Sequence, residues 1–318
     1  MIEDIPKISV LVICYNQERV ISRAIDSLLT QRDYIYEICV SDDCSKDRTW
    51  DILQEYSRQY PGLFVLNRND PNVGIFENIE RTWTMPTGDL VYRLAGDDEC
   101  PNGWFSTVLD YIKSQKLDIQ KEPFAIYGDY QCRYPSGDSF IYSNKYVMSG
   151  INPVRLSLRG HIGNRSVVCS KRVIESYVKV SQGKSYIAEI AQDIQLQLFA
   201  KNVYHIPCVG NIYYTRIGVS ANMDLSKNKE REGLYQYAMN TLIKCGYIPD
   251  KKDLAYIQFK TLKSQLYRIK TFAQHWKIII MYLRSFDYTL SLKYFRIKRY
   301  WFALKIRLPH NKPVKMNL

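Results

Sequence analysis

Leu90-Val91-Tyr92-Arg93-Leu94 runs into Ala95-Gly96-Asp97-Asp98-Glu99 and stops at Pro101-Asn102-Gly103. An apolar run of this length reads as a half-buried strand. Its adjacent carboxylates then fall at the carboxyl end, where open α/β sheets hold their ligands. Carboxylate oxygens on a turn suit a hard divalent cation, and such an ion is commonly shared between one or two carboxylates and substrate phosphates. The same three acids also compose an ordinary solvated turn or a helix N-cap. The surrounding chain decides between these readings.

Upstream, strands alternate with helices. Ile8-Ser9-Val10-Leu11-Val12-Ile13 is nearly all apolar, as a parallel strand covered on both faces must be, and it ends at Cys14-Tyr15-Asn16. Apolar residues then recur at helical spacing: Val20, Ile21, Ala24, Ile25, Leu28 and Leu29. A second strand, Tyr36 to Val40, ends at Ser41-Asp42-Asp43-Cys44-Ser45, and a helix of about Thr49 to Tyr60 follows with Asp47 as its N-cap. Phe64-Val65-Leu66 is a third strand, closed by the polar turn Asn67 to Gly74, and Ile75 to Thr84 is helical by pattern. This alternation predicts a doubly wound, mainly parallel α/β sheet. The first strand is not followed by Gly-x-Gly-x-x-Gly, so the dinucleotide fingerprint is missing.

The chain of 318 residues is long enough for one sizeable core and a smaller appendage. The eight cysteines at 14, 39, 44, 100, 132, 169, 208 and 245 include no Cys-x-x-Cys pair, which argues against zinc and a disulfide framework. The acidic start Met1-Ile2-Glu3-Asp4 has the wrong order for a secretory signal, and the longest aliphatic-aromatic run, Ile278 to Leu283, is too short to span a bilayer. A cytoplasmic protein is expected.

Charge is unevenly placed. Residues 225–318 hold 20 Lys/Arg against five Asp/Glu, whereas residues 1–224 hold 24 against 27. The net charge of +12 therefore belongs to the last part of the chain, which sets an expected boundary near Leu225 and a tail that meets an anionic surface.

Read in order, Ser9 to Asn16, Val40-Ser41-Asp42-Asp43-Cys44-Ser45, Asn72-Val73-Gly74 with Asn78, and Gly88-Asp89-Leu90 leading to Gly96-Asp97-Asp98 resemble the signature of family 2 inverting glycosyltransferases of the GT-A fold. The resemblance extends more weakly to about Ser220. It implies a catalytic domain over 1–224, with a nucleotide-sugar half of about 1–100 and an acceptor half of about 101–224.

The resemblance also implies roles. Tyr15 and Asp43 would hold the base and ribose of a nucleotide-sugar, a stacking face and a carboxylate acceptor being suited to that. Asp97 would lie nearer the ribose, and Asp98 would bind the Mn²⁺ or Mg²⁺ that neutralises the departing diphosphate. The motif reads Gly-Asp-Asp-Glu here instead of Asp-x-Asp, which leaves open which oxygens touch the ion. Asn164 and Arg165, in Gly160-His161-Ile162-Gly163-Asn164-Arg165-Ser166, would contact donor sugar or phosphate, and Arg216 the diphosphate. Tyr186 to Leu196 resembles the acid-bearing turn before a helix, with Asp193 as the base on the acceptor hydroxyl. Gln192 stands where Glu is common, so Glu189 remains an alternative.

In the basic region, apolar residues from Phe259 fall at 262, 266, 269, 273, 276, 280 and 283, a helical stripe. It would pack on the catalytic domain or on a second copy. Leu290, Tyr294, Ile297, Trp301, Leu304 and Leu308 keep that spacing beside Lys293, Arg296, Lys298, Arg299, Lys305 and Arg307. Such a face suits a helix lying on the inner surface of the cytoplasmic membrane, residues 288–318 being the anchor. A solvated tail or an oligomer contact is the alternative.

The expected protein is thus a peripheral, metal-dependent glycosyltransferase. Its donor would be a nucleoside-diphosphate sugar, UDP by family precedent, and its acceptor a glycan or lipid-linked glycan of envelope polysaccharide synthesis. Two rivals exist. A sugar-1-phosphate nucleotidyltransferase would need a Gly-rich loop after the first strand, where Cys14-Tyr15-Asn16-Gln17 stands. A nucleic-acid binder would use the basic tail, but the acids at 42–43 and 97–99 oppose a nucleic-acid footprint on the first half.

Overall fold

The computed structural model describes residues 5–180, 188–215, 233–264 and 272–285. In chain order the elements are β1 (Ile8–Cys14), α1 (Ile21–Leu29), β2 (Ile35–Asp42), α2 (Thr49–Gln59), β3 (Phe64–Arg68), α3 (Ile75–Thr82), β4 (Leu90–Ala95) and α4 (Trp104–Gln115). There follow β5 (Phe124–Arg133), β6 (Ser139–Tyr142), α5 (Pro153–Leu158), β7 (Val167–Ser170), α6 (Lys171–Glu175), α7 (Ala188–Phe199), β8 (Asn202–Tyr214) and α8 (Leu234–Lys244). The last two are α9 (Lys251–Ser264) and α10 (Phe272–Arg284).

One mixed sheet runs β3-β2-β1-β4-β7-β5-β6, with β8 paired to β5. The β2, β1 and β4 neighbours are parallel, as the alternating pattern predicts, and β3 continues the parallel set. The second half departs from it: β7 is antiparallel to both β4 and β5. β8 pairs with β5 in parallel through a bulge, where Tyr127 faces His205 and Asp129 faces Val209. Pro207 sits inside that bulge, where a missing N–H costs no ladder bond. The sheet is therefore mixed and mainly parallel, as the resemblance implies.

The apolar runs explain the layers. Ile8, Val10 and Val12 join a buried cluster with Ile38 and Val40 of β2, Leu90, Tyr92 and Leu94 of β4, and helices α1, α2 and α4. Ser41, next along β2, points to the other face and donates to Asn78 of α3 at 2.5 Å, so α3 covers the opposite side. At 25 cal/mol per Å² or so, this two-sided burial is the main force holding the parallel strands together.

Two compact units divide the chain, Met1–Ile248 and Pro249–Leu318. The boundary expected near Leu225 falls in residues 216–232, outside the described residues. Within the second unit α9 packs on α10, with the Phe259 and Tyr282 rings 5.0 Å apart. Trp276 and Leu283, on the stripe expected to face inward, are 54% and 59% exposed, while Ile278 is fully buried. α10 meets α9 through the side that carries Tyr282. The expected membrane helix at 288–318 lies outside the described residues, and no helix among those described is long and apolar enough to cross a membrane.

Candidate functional site

Because β1 lies between β2 and β4, three strand ends finish level: Cys14 faces Asp42, and Ile13 faces Ala95. Backbone bonds carry the registry into the turns, from Asp43 N to Cys14 O at 3.0 Å and from Gly96 N to Ile13 O at 2.9 Å. The turns after β1 and β2 are laced together. Asn16 N donates to Ser45 Oγ (2.9 Å), Lys46 N to Asn16 Oδ1 (2.7 Å), Gln17 N to Thr49 Oγ1 (2.7 Å) and Glu18 N to Asp47 Oδ2 (3.0 Å). Asn16 and Cys44 take left-handed φ values of 52° and 61° to make these turns. Asp47, expected as the N-cap of α2, lies one residue before it: the N-cap is Arg48, whose side chain makes no capping bond, and the Asp47 carboxylate accepts from Thr49 N and from Glu18 N, tying two turns together. Tyr15, in the turn after β1, remains 39% exposed.

Asp43 is buried and its carboxylate is fully engaged. Oδ1 accepts from Asn69 Nδ2 (3.0 Å) and Val73 N (2.8 Å); Oδ2 accepts from Asn72 Nδ2 (2.7 Å) and Gly74 N (2.8 Å). Four bonds fill the four lone-pair positions of a carboxylate. Asp43 therefore holds the loop 69–74 against the end of β2. Its neighbour Asp42, wholly buried, is paired with Arg68 Nε at 3.5 Å and accepts from Ser45 N.

Asp97 and Asp98 form the turn after β4. Asp98 is 1% exposed, and burial pushes its carboxyl up to about 7, an effect partly offset by Arg165 and increased by Asp97. Arg165 Nη1 stands 3.3 Å from Asp98 Oδ2, and Tyr214 N donates to Oδ1 at 3.3 Å. The Arg165 guanidinium lies 3.5 Å over the Tyr213 ring, a cation–π contact that fixes its plane. Burial raises the Asp97 carboxyl as well, against the pull of Arg165 and Arg23.

Asp193 departs from the expected placement. It lies inside α7, which begins at Ala188, and not on a turn before the helix. Ala191 and Ile194, on either side, are buried, so the apolar pattern carries the helix through it. Arg93 Nη2 of β4 donates to Asp193 Oδ1 at 2.9 Å, and Asn164 Nδ2 donates to Asp193 O at 3.3 Å. Gln197, one turn on, contacts both Asn164 and the Tyr127 hydroxyl. Gln192 donates to Phe76 O at 2.8 Å, seating α7 on α3. Arg216 and the side chain of Glu189 lie outside the described residues.

Asp98, Arg165, Asn164 and Asp193 are thus joined in one patch, with Tyr15 and Asp43 on the adjoining strand ends. Among the described residues no three His, Cys, Asp or Glu side chains cluster to hold a metal by themselves. The donor set nevertheless fits a divalent ion completed by phosphate oxygens. Asp98 is a buried carboxylate short of positive charge, with one guanidinium beside it, and Mg²⁺-type ions are commonly held by one or two carboxylates plus phosphates.

Several residues here were given no role from the sequence. Arg23, Arg93, Glu99, Tyr213 and Tyr214 all touch the acidic turn or its partners. Glu99 was visible as part of the acidic stretch, and for Arg23 the hint was spacing, since Arg23, Ser27 and Gln31 recur every four residues, on the pattern of an ordinary solvated helix face.

Residues 9–149 match the family model described as Glycosyl transferase family 2. The chain is 33% identical over 93 residues to EpsE of Bacillus subtilis, described as a glycosyltransferase, covering 29% of this chain and 34% of that one. It is 41% identical over 115 residues to a poly(ribitol-phosphate) beta-glucosyltransferase of Bacillus spizizenii, covering 36% and 18%. Each match spans about a third or less of the relative's own length. Among solved structures, S. aureus TarS 1–349 in complex with UDP-GlcNAc superposes with a TM-score of 0.60 at 15% identity, covering 86% of this chain and 79% of that one. At that identity the likeness is one of fold.

Proposed function

We propose that the protein is a metal-dependent inverting glycosyltransferase, a reading supported by the match of residues 9–149 to the glycosyl transferase family 2 model and by the likeness of fold to TarS 1–349. It moves a sugar from a nucleoside-diphosphate donor, a UDP-sugar, to a hydroxyl of a glycan or lipid-linked glycan. The observation that carries this reading is the join between Asp98 and Asp193: Arg165 pairs with Asp98, and its chain neighbour Asn164 bonds to Asp193. This contact path supports a turn that would hold a cation and a carboxylate that would act as base working on one substrate.

Tyr15 offers its ring face to the base, and Asp43 builds the wall of that subsite through the loop it holds. Asp97 would lie nearer the ribose than Asp98. Asp98 would hold a divalent ion, whose chemistry when bound is to neutralise charge on the leaving diphosphate. Arg165 and Arg216 add positive charge for the same phosphates, and Asn164 orients the sugar. Asp193 takes the proton of the acceptor hydroxyl as its oxygen bonds to the anomeric carbon. The bond from that carbon to the diphosphate oxygen breaks, and its electron pair leaves with the nucleoside diphosphate.

The basic and aromatic pattern of 288–318 supports an acceptor at the inner membrane surface, with the protein peripheral to it. A thermal-shift panel of nucleoside diphosphates and their sugars, with and without Mn²⁺, tests the core of the reading. UDP with Mn²⁺ should raise the melting temperature as mass action requires. No stabilisation by any of them would overturn it.

A further inference from the structure

One side of α1 runs along the acidic turn and grips it at every step. A Cβ built on Gly96 would stand 2.9 Å from Ile21 Cδ1 and 3.0 Å from Ile13 O, so the turn leaves β4 pressed against the start of the helix. Arg23 Nη2 donates to Asp97 O at 2.6 Å, and its Nε lies 3.1 Å from Glu99 Oε1. Ser27 Oγ accepts from Cys100 N at 3.0 Å, and Gln31 Nε2 donates to Pro101 O at 2.9 Å. Residues 23, 27 and 31 therefore form a ladder under 97–101.

Arg23 does more than its two companions. Its guanidinium stacks 3.7 Å over the Tyr214 ring, whose hydroxyl donates to Glu99 Oε1 at 2.6 Å and accepts from Arg133 Nη1 at 3.0 Å. The amide of that same Tyr214 donates to Asp98 Oδ1. Glu99 and Ile212 exchange backbone bonds at 3.0 and 2.8 Å, which fastens the far side of the turn to β8. One planar cation thus meets the backbone before Asp98, the carboxylate after it, and the residue whose amide orients it.

We infer that Arg23 is a positioning residue for the Asp98 carboxylate: it sets the geometry in which the acidic turn receives a cation-bound diphosphate, without touching either. The inference rests on the reading of Asp98 given above. A flat guanidinium can serve a carbonyl, a carboxylate and a ring face together; an ammonium of equal charge cannot. Loss of a partner that orients a ligand carboxylate typically lowers metal affinity by about 10- to 100-fold.

Isothermal titration of the full chain with UDP and MnCl₂, electron paramagnetic resonance of the bound Mn²⁺, and thermal melting test it on Arg23→Lys, Arg23→Ala and Gln31→Ala. Arg23→Lys should weaken UDP–Mn²⁺ binding about ten-fold or more and alter the Mn²⁺ spectrum. Gln31→Ala, which touches the chain beyond the turn, should lower the melting temperature and leave both readouts near the parent. Parent-like binding and spectrum in Arg23→Lys would overturn the inference. So would equal losses of affinity in Arg23→Lys and Gln31→Ala at matched melting temperatures. Absence of UDP–Mn²⁺ binding in the unmutated chain would instead remove the parent reading.

Discussion

Arg93 Nη2 donates to Asp193 Oδ1 at 2.9 Å, tying the central strand β4 to the middle of α7. Both side chains keep some exposure, 21% and 27%, so the carboxylate is oriented while one side stays open to solvent. Asp193→Asn preserves shape and the Asn164 contact to the backbone. It should fold and bind UDP as the parent does, while kcat falls by about 100-fold or more, the scale of a lost general base. Steady-state kinetics decide it, and near-normal turnover would remove Asp193 from the role.

Asp98 links the site to stability. Burial pushes its carboxyl up to about 7 in the folded state, against ~4 in an unfolded chain. The folded state therefore holds the extra proton. That contribution is complete below the unfolded value and is lost as pH rises through about 7. Asp98→Asn removes the loss, so without ligand it should be more stable than the parent at pH 8, by an upper bound on the order of a few kcal/mol. The gap should shrink toward pH 4. Urea midpoints at both pH values measure it; a gap of one size throughout would contradict the assignment. The same variant should lose Mn²⁺-dependent UDP binding.

Asp43→Ala strips the acceptors from Val73 N, Gly74 N and two asparagine amides. Each donor left without a partner costs about 1–3 kcal/mol when buried. The variant should therefore lose stability together with nucleotide affinity, unlike Tyr15→Ala, which should lose affinity alone. Urea unfolding and UDP titration of both separate the two roles.

Trp104 is clasped between two backbones. A Cβ at Gly210 would stand 2.7 Å from its ring, and one at Gly128 2.6 Å. Gly210→Ala should cost about 1–3 kcal/mol by overpacking, whereas Gly233→Ala, with nothing within 4 Å, should be close to neutral. Thermal melts compare them.

Residues 288–318 carry an interface-type pattern of aromatic and basic residues. Truncation before residue 288 should abolish flotation with vesicles containing anionic lipid. Equal recovery of both forms at the top of the gradient would refute a membrane role.

By itself, the sequence determined the order of strands and helices in the first half and the site's acidic turn. Long apolar runs that end in polar turns have one compact solution, a parallel sheet whose turns share an edge, and that edge is where Tyr15, Asp43 and Asp98 appear. The antiparallel entry of β7, the passage of α7 through Asp193, and the meeting of Arg23, Arg93 and Arg165 with their carboxylates were decided by tertiary structure. Arg23, Ser27 and Gln31 look like any solvated helix face, and Arg93 like a polar break in a strand. Only once the sheet is assembled do charges separated by 67 to 100 positions come into contact, and for Asp98 the cost of burying the carboxylate makes its pairing necessary.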